Sequence, residues 1–233
     1  MLKCFRSLGA EPVTILFFAV INKSAQDTSS TLRDNIAMVG HLIEGAAVAN
    51  VESLVYLSSA DVYGNRPAIP ITEETQINPD TWYGLAKYCG ERMLQFATPV
   101  TVLRIPGVYG NFPRDKSVIG RMVAAVRDGN PIPITGEGKC LRDYVHVLDL
   151  CRVIDAVIPL RGRQVINVGT GHSHNVADIA QMVGRVLKKP ARIERQAADP
   201  AREFDLVFDN RRLSELVPGF QFTNLEEGIR SYG

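Results

Sequence analysis

Short apolar runs alternate with stretches of helical periodicity over the first half of the chain. The runs are typical of buried strands and comprise VTILFFAVI (13–21), SLVYLSS (53–59) and VTVLRI (100–105). Between them, apolar residues spaced three and four apart predict helices over about 28–49 and 80–96. Strands that alternate with helices in this way usually form a parallel sheet with helical crossovers. We therefore predict an α/β fold in which helices flank a parallel sheet.

The pattern becomes less regular after Gly110. It predicts helices over 116–127, 147–158 and 175–187, strands over 131–135 and 164–168, a late strand ARIER, a short helix near Arg211 and a closing helix from Asn224. This mixture indicates a smaller α+β domain that is interleaved with the sheet. The predicted boundaries are 1–110 plus 144–170 for the first domain and 111–143 plus 171–233 for the second.

Composition narrows the class of protein. With 233 residues, of which 45% are hydrophobic, the chain can bury a full core. Its 26 basic and 25 acidic residues give a net charge of +1 without a basic stripe, so we expect no nucleic-acid partner. An anionic small molecule remains a candidate ligand. The four cysteines share no C-x-x-C spacing and are typical of the reduced thiols of a cytoplasmic protein, namely Cys4, Cys89, Cys140 and Cys151.

Two local patterns each have two interpretations. The apolar run 13–21 follows Lys3 and Arg6, as in a signal peptide, but Glu11 and Pro12 interrupt the approach. The run is also far shorter than the roughly 20 residues that span a membrane, so we predict a buried strand and no membrane contact. An H-x-H pair, His172 and His174, could bind a metal, but without nearby cysteines or carboxylates we predict a solvated loop and no metal site.

Candidate chemistry begins in the segment YLSSADVYG (56–64). Its hydroxyls leave the carboxyl end of a predicted strand, where open parallel sheets bind ligands, although serines there also serve turns. Tyr83 and Lys87 then lie four apart on one face of the next helix, which is also compatible with an ordinary surface pair. A lysine one turn away, together with the positive charge of a bound nicotinamide, is expected to stabilise the phenolate and lower the phenol pKa from its usual value near 10. That would make Tyr83 a usable acid/base, with Ser59 bound to the same substrate oxygen.

Four segments in this order and spacing resemble the extended short-chain dehydrogenases/reductases, the NAD-dependent epimerase/dehydratase family. They are SSADVYG, YGLAK, LRIPGVYG and GEGKCLRDYVHVLDL, and the resemblance runs from about residue 13 to the C-terminus. It implies a truncated Rossmann-like parallel sheet flanked by helices, together with a small α+β C-terminal substrate domain.

The resemblance also implies roles for individual residues. Ser59 matches the catalytic hydroxyl, Tyr83 the acid/base, and Lys87 the residue that tunes the tyrosine and holds the nicotinamide ribose. The other positions implied to contact NAD are Phe18, Ala19, Asn35, Ser58 and Pro106. Asn35 is also compatible with a helix-surface amide, and Pro106 with a simple end to its strand.

For the nucleotide-sugar substrate, the resemblance implies contacts from Ser59, Gly107, Arg142, Arg202 and Asp205. The fork geometry of arginine suits phosphate. Structural ion pairs with Asp143 or Asp199 are the alternative for Arg142 and Arg202.

The chain departs from the family pattern at three places. Gly107 stands where many relatives have asparagine, which puts the identity of the substrate in doubt. Ala60 and Asp61 stand where dehydratases have Asp and Glu, which favours epimerisation or simple oxidoreduction; Asp61 remains a candidate base, although we favour a turn-capping carboxylate. No G-x-x-G-x-x-G turn is present, so we expect the chain to begin just before the fourth strand of the family's sheet. The residues that cradle the pyrophosphate and distinguish NAD from NADP would then be missing, and the strand at 13–21 would be a bare sheet edge.

The function that the resemblance implies first is an NAD-dependent sugar-nucleotide epimerase, in which hydride passes to NAD and returns to the other face of a keto intermediate. An NAD(P)-dependent reductase or dehydrogenase of the same superfamily is an alternative. A non-catalytic protein that binds a sugar nucleotide or a partner subunit is another. Relatives commonly form homodimers through the two long helices, so the resemblance implies a homodimer here.

Overall fold

Strands and helices alternate along most of the chain in a computed structural model that describes residues 2–22, 27–111, 116–200 and 203–233. The helices are α1 Leu2–Ser7, α2 Ser29–Ala46, α3 Trp82–Ala97, α4 Val118–Asp128, α5 Val147–Val157, α6 Val176–Leu187, α7 Arg211–Leu216 and α8 Leu225–Arg230. The strands are β1 Val13–Phe17, β2 Val51–Ser59, β3 Thr101–Ile105, β4 Gly107–Tyr109, β5 Ile132–Thr135, β6 Leu141–Arg142, β7 Tyr144–His146, β8 Gln164–Asn167, β9 His174–Asn175 and β10 Ile193–Gln196. Two 3-10 turns lie at Ala60–Tyr63 and Ile158–Leu160.

The main sheet has four parallel strands in the order β1-β2-β3-β8. β2 is buried from Ser53 to Ser59 and β3 along its whole length, as expected for strands that are covered on both faces. Apolar residues of α2 and α3 pack with these strands in one core cluster that includes Phe17, Val39, Leu54, Leu94 and Val102. The predicted α/β fold with a parallel sheet is confirmed.

The chain divides into two compact units. The first contains 1–64, 76–105 and 154–167, and the second contains 65–75, 106–153 and 168–233. The predicted first domain also included 65–75, 106–110, 144–153 and 168–170, which cluster with the second unit. The physical reason lies in backbone pairing, because Ile71 forms a bridge with Phe208 and β7 pairs with β4.

The second unit is built on a separate core. Helices α4, α6 and α8 pack together with the parallel pair β5 and β10 around buried apolar residues such as Ile119, Ile132, Ile179 and Ile229. Two further short pairs, β4 with β7 and β6 with β9, complete the strands of this unit.

Element bounds differ from the sequence predictions mainly where elements are short. β1 ends at Phe17, so Phe18 and Ala19 lie beyond the strand rather than within a run to Ile21. β4, β6, β7 and β9 have two or three residues each, too few for an alternating pattern to be recognised. Within the ranges given above, none of the helices is both long enough and apolar enough for a membrane span.

Candidate active site

The carboxyl end of β2 places Ser59 at the start of a 3-10 turn. Its hydroxyl oxygen accepts a hydrogen bond from the Asp61 amide at 3.2 Å, which caps the turn, and its proton is donated to Asp61 Oδ2 at 3.0 Å. Ser59 is 9% exposed. The side chain is therefore held by its own turn in a defined orientation.

The beginning of α3 is fixed against the same turn. Thr81 caps the helix by accepting from the Gly84 amide at 2.9 Å, and the Tyr83 amide donates to Asp27 Oδ1 at 2.9 Å. A Cβ at Gly84 would lie 2.5 Å from the Asp61 carbonyl oxygen. Glycine at this position thus lets the first turn of α3 approach the segment that carries Ser59.

Tyr83 and Ser59 meet through their side chains. Loss of solvent around the phenol, and next the charge of Asp61, raise the Tyr83 pKa to about 12. The hydrogen bond between Tyr83 and Ser59 acts in the opposite direction but is the smaller effect. The phenol is thus neutral over the whole physiological range.

Lys87 lies next to this phenol and contacts the backbone of β2. Its Nζ is 5.8 Å from the centroid of the Tyr83 ring and 5.1 Å from that of Tyr56, and it donates to the Leu57 carbonyl oxygen at 2.6 Å. The side chain is 3% exposed, and this burial lowers its pKa to about 8, partly opposed by the charge of Glu91. Lys87 remains mostly protonated near neutral pH.

Without a bound cofactor the Tyr83 pKa is raised rather than lowered, and activation of the phenol by Lys87 together with a nicotinamide stays a prediction. Both groups are desolvated, so each is shifted toward its neutral form, and Asp61 adds to the effect on Tyr83. Activation of the phenol therefore requires a further positive charge or hydrogen bond that arrives with a ligand.

A buried polar network behind the site escaped the sequence analysis. Ser58 donates to Glu91 Oε1 at 2.5 Å, and Arg104 binds the same carboxylate through Nε and NH2 at 2.8 to 3.3 Å. Arg104 also donates to the Tyr63 hydroxyl at 3.0 Å, which donates in turn to Asn167 Oδ1 at 2.7 Å. One signal could have revealed it: an arginine inside the apolar run VTVLRI must find a buried anionic partner.

The other residues implied to contact NAD have varied surroundings. Phe18 is 50% exposed and Ala19 is also exposed, just after β1. The Asn35 amide bonds the backbone of Ile21 in both directions, with its oxygen 2.7 Å from the amide nitrogen and its nitrogen 3.1 Å from the carbonyl oxygen. Asn35 thereby fixes the segment after β1 to α2. Its contact with NAD, like those of Ser58 and Pro106, stays a prediction.

In the second unit, three of the residues implied for substrate binding are described. A Cβ at Gly107 would lie 2.6 Å from the Tyr144 ring, so an aromatic side chain occupies the space next to this glycine. Arg142 donates to the carbonyl oxygens of Leu141 and Phe204, and Asp205 accepts from the Leu141 amide at 2.8 Å. Arg202 lies outside the described residues.

The H-x-H pair lies against a cavity of about 380 Å³ in the second unit. His172 Nδ1 is 3.1 Å from the Thr170 carbonyl oxygen, and the same threonine donates to the buried Asp143 at 2.6 Å. Burial raises the pKa of Asp143 to about 6, against the hydrogen bonds from Thr170 and Gly171. In the described part of the chain, no group of three His, Cys, Asp or Glu side chains has an arrangement that could hold a metal ion.

The donors around Tyr83 fit the nicotinamide end of a dinucleotide. An ammonium has three N–H donors, of which Lys87 directs one at Leu57, and a ribose diol is a suitable acceptor for the others. The fit concerns this end alone, because the sequence holds no G-x-x-G-x-x-G turn for a pyrophosphate.

Comparison with known proteins identifies the family of the chain. The model of the NAD dependent epimerase/dehydratase family matches residues 5–169. UDP-glucose 4-epimerase of Corynebacterium glutamicum is 26% identical over 211 residues, which cover 78% of this chain and 63% of the relative. A dTDP-4-dehydro-6-deoxy-D-allose reductase of a Streptomyces species is 28% identical over 249 residues, which cover 98% of this chain and 76% of the relative.

Among solved structures, MoeE5 in complex with UDP-glucose and NAD superposes with a TM-score of 0.86 at 27% identity, covering 98% of this chain and 80% of that one. The chain spans less than two thirds of the length of the first curated relatives it matches, 64% and 63%.

Proposed function

Because the chain belongs to the NAD dependent epimerase/dehydratase family, we propose that it epimerises a sugar nucleotide with NAD as cofactor. The observation that carries the proposal is the convergence of three groups where β2 ends and α3 begins. The Tyr83 phenol meets the Ser59 hydroxyl, and the Lys87 ammonium lies 5.8 Å from the phenol ring. Together they place an acid/base, a hydroxyl and a cation at one site.

Each of the three groups has a distinct task in the proposed reaction. NAD supplies the acceptor, and later the donor, of a hydride at one sugar carbon. Tyr83 takes the proton of the hydroxyl at that carbon and returns it after the keto intermediate has rotated to present its other face. Ser59 hydrogen-bonds the same oxygen, and Lys87 holds the nicotinamide ribose. A positive charge bound beside the phenol stabilises the phenolate and offsets the rise in pKa that burial and Asp61 produce.

A nucleotide sugar is the proposed substrate. The Corynebacterium relative is a UDP-glucose 4-epimerase, and MoeE5 was solved in complex with UDP-glucose. Arg142 is proposed to bind the phosphate of the substrate, because a guanidinium provides suitable donors, and Gly107 and Asp205 complete the proposed set together with Arg202.

We further propose a homodimer that forms through α2 and α3. Phe96 of α3 is 78% exposed and Trp82 is 43% exposed, so two large apolar side chains of this helix are accessible to a partner. A cytoplasmic location is also part of the proposal, since Cys89, Cys140 and Cys151 are free thiols.

The test is a panel of UDP-, dTDP- and GDP-sugars incubated with the purified protein and NAD. Proton NMR is expected to detect an epimer while NADH absorbance shows no net change, because the hydride returns to the sugar. Lasting consumption of reduced cofactor would instead indicate a reductase, and loss of water a dehydratase. No turnover, together with no rise in melting temperature at millimolar NAD, would contradict the proposal, because a ligand selective for the folded state must raise it.

A further inference from the structure

Three consecutive residues of β2 each engage one residue of a single stripe on α3. The stripe consists of Tyr83, Lys87 and Glu91, spaced four apart. The Ser59 side chain hydrogen-bonds Tyr83, the Leu57 carbonyl oxygen accepts from Lys87, and the Ser58 hydroxyl donates to Glu91. Glu91 thus lies one helical turn after Lys87 and two turns after Tyr83.

Glu91 is a carboxylate in a position that would normally attract Lys87. A glutamate and a lysine four apart on a helix form ion pairs readily, and burial strengthens the attraction. The charge of Glu91 does act on Lys87, since it opposes the effect of burial on the lysine pKa. Nevertheless, Lys87 donates to a backbone carbonyl.

Arg104 of β3 is the cation that binds Glu91. Its NH2 lies 2.8 Å from Oε2 and its Nε 3.1 Å from Oε1, so the fork of the guanidinium holds both carboxylate oxygens. Glu91 is 1% exposed and Arg104 5% exposed. Burial opposes the charged form of Arg104, but its hydrogen bonds and charge contact with Glu91 raise its pKa overall. A pair of this kind is strongly destabilised when either partner alone is removed.

We propose that Arg104 is a positioning residue, which binds Glu91 so that the Lys87 ammonium remains beside Tyr83 and Leu57 rather than pairing with Glu91. The catalytic role of this positioning rests on the proposed function, whereas the position and charge of Lys87 can be tested without it. Without Arg104, the charge of Glu91, which acts on Lys87, is no longer compensated by a guanidinium. The other titratable groups placed against this ammonium are Tyr56 on β2 and Tyr83 on α3, and Asp61 acts on Tyr83 from the 3-10 turn.

The first experiment measures the Lys87 ammonium directly by NMR titration of protein labelled at the lysine side chains, with its signal assigned by its loss in Lys87→Met. Arg104→Met leaves the negative charge of Glu91 uncompensated and is expected to raise the Lys87 pKa. Glu91→Gln leaves the positive charge of Arg104 and is expected to lower it. The double variant removes both charges and is expected to return close to the wild-type value. Shifts of the same sign in the two single variants, or no shift in either, would overturn the proposal.

Two further variants serve as controls for charge and for folding. Arg104→Lys keeps the positive charge, so Lys87 is expected to titrate in this variant as in the wild type. If Arg104→Met fails to fold, Arg104→Lys and Glu91→Gln together provide the test. Arg161→Met removes a partner of the exposed ion pair with Glu52, whose atoms lie 2.7 Å apart, and is expected to leave the Lys87 signal unchanged.

The second experiment measures turnover on the substrate identified from the panel. Arg104→Met is expected to lower kcat about 10- to 100-fold, a loss typical of a displaced catalytic group, and the double variant is expected to recover most of it. A purely structural role predicts instead that the double variant is no more active than the single one, which would count against the proposal. The Lys87 titration needs neither cofactor nor turnover, so failure of the proposed function and failure of this inference are separable.

Discussion

Ser59 and Asp61 share two hydrogen bonds across the 3-10 turn, one in each direction. The serine proton points at Asp61 Oδ2, 3.0 Å away, and the serine oxygen accepts from the Asp61 amide. The carboxylate therefore orients the hydroxyl that meets Tyr83, and its charge also raises the Tyr83 pKa. The residue that caps the turn is Ser59, whereas Asp61 supplies the capped amide and is an electrostatic neighbour of the proposed acid/base.

Replacing Asp61 by asparagine is expected to lower the Tyr83 pKa below its value of about 12, because the negative charge that opposes ionisation is removed. Ultraviolet titration of phenolate absorbance, compared with the same titration of an Asp61→Asn/Tyr83→Phe variant, isolates this tyrosine. Asp80→Asn serves as control because Asp80 is exposed. An unchanged or raised Tyr83 pKa in Asp61→Asn would contradict the expectation.

Tyr83→Phe is expected to lower kcat by about 10²-fold or more while KM changes little, because the variant loses the proton carrier and keeps the ring. Tyr88→Phe, on the same helix and also partly buried, is the matched control and is expected to retain activity. Steady-state kinetics on the substrate identified from the panel make the comparison. If Tyr83→Phe turned over as fast as Tyr88→Phe, the assignment of the acid/base would be wrong.

The pH dependence of stability should report on Lys87. Between about pH 8 and its ordinary pKa of 10.5, the unfolded chain keeps a proton on this lysine that the folded chain has released. The free energy of unfolding contributed by this group therefore rises with pH, by about 2 kcal/mol from about pH 8 to about pH 10. Above about pH 10 the raised pKa of Tyr83 acts in the opposite direction.

Lys87→Met removes this rise, so the difference in unfolding free energy between wild type and variant should move in favour of the wild type as pH increases. Urea denaturation at several pH values measures it, and groups common to both proteins cancel. A difference that stays constant with pH would mean that the lysine titrates normally in the folded state.

Gly107→Ala is expected to destabilise the protein by about 1 to 3 kcal/mol, since the new methyl group would lie 2.6 Å from the Tyr144 ring. Gly40→Ala provides a control of opposite sign. Gly40 lies within α2. Apart from its own helix backbone and chain neighbours, no atom of the described residues lies within 4 Å of an added Cβ. Alanine should therefore stabilise the protein by up to about 1 kcal/mol. Chemical denaturation of both variants tests the pair, and a Gly107→Ala variant as stable as the wild type would show that Tyr144 moves freely.

The sequence predicted the long elements because strong periodicity over many residues leaves little ambiguity, as in α2 and α3. It also predicted that Ser59 and Tyr83 would meet, because residues at a strand end and at the next helix start share one edge of a parallel sheet. It could not predict that the Tyr83 pKa is raised in the protein without cofactor, because that shift depends on how much solvent the fold removes. Nor did local pattern reveal that Glu91 and Arg104, 13 residues apart, form a buried pair.

The matching of three successive β2 residues to three successive turns of α3 has a mechanical consequence. Sliding the helix by one residue would rotate its stripe by roughly 100°, which would break all three contacts together. A shift of α3 along β2 by a single residue is therefore strongly disfavoured, since no contact of the three would remain. Insertions or deletions in the connection before Thr81 are therefore compatible with these contacts. Insertions or deletions between Tyr83 and Glu91 are not.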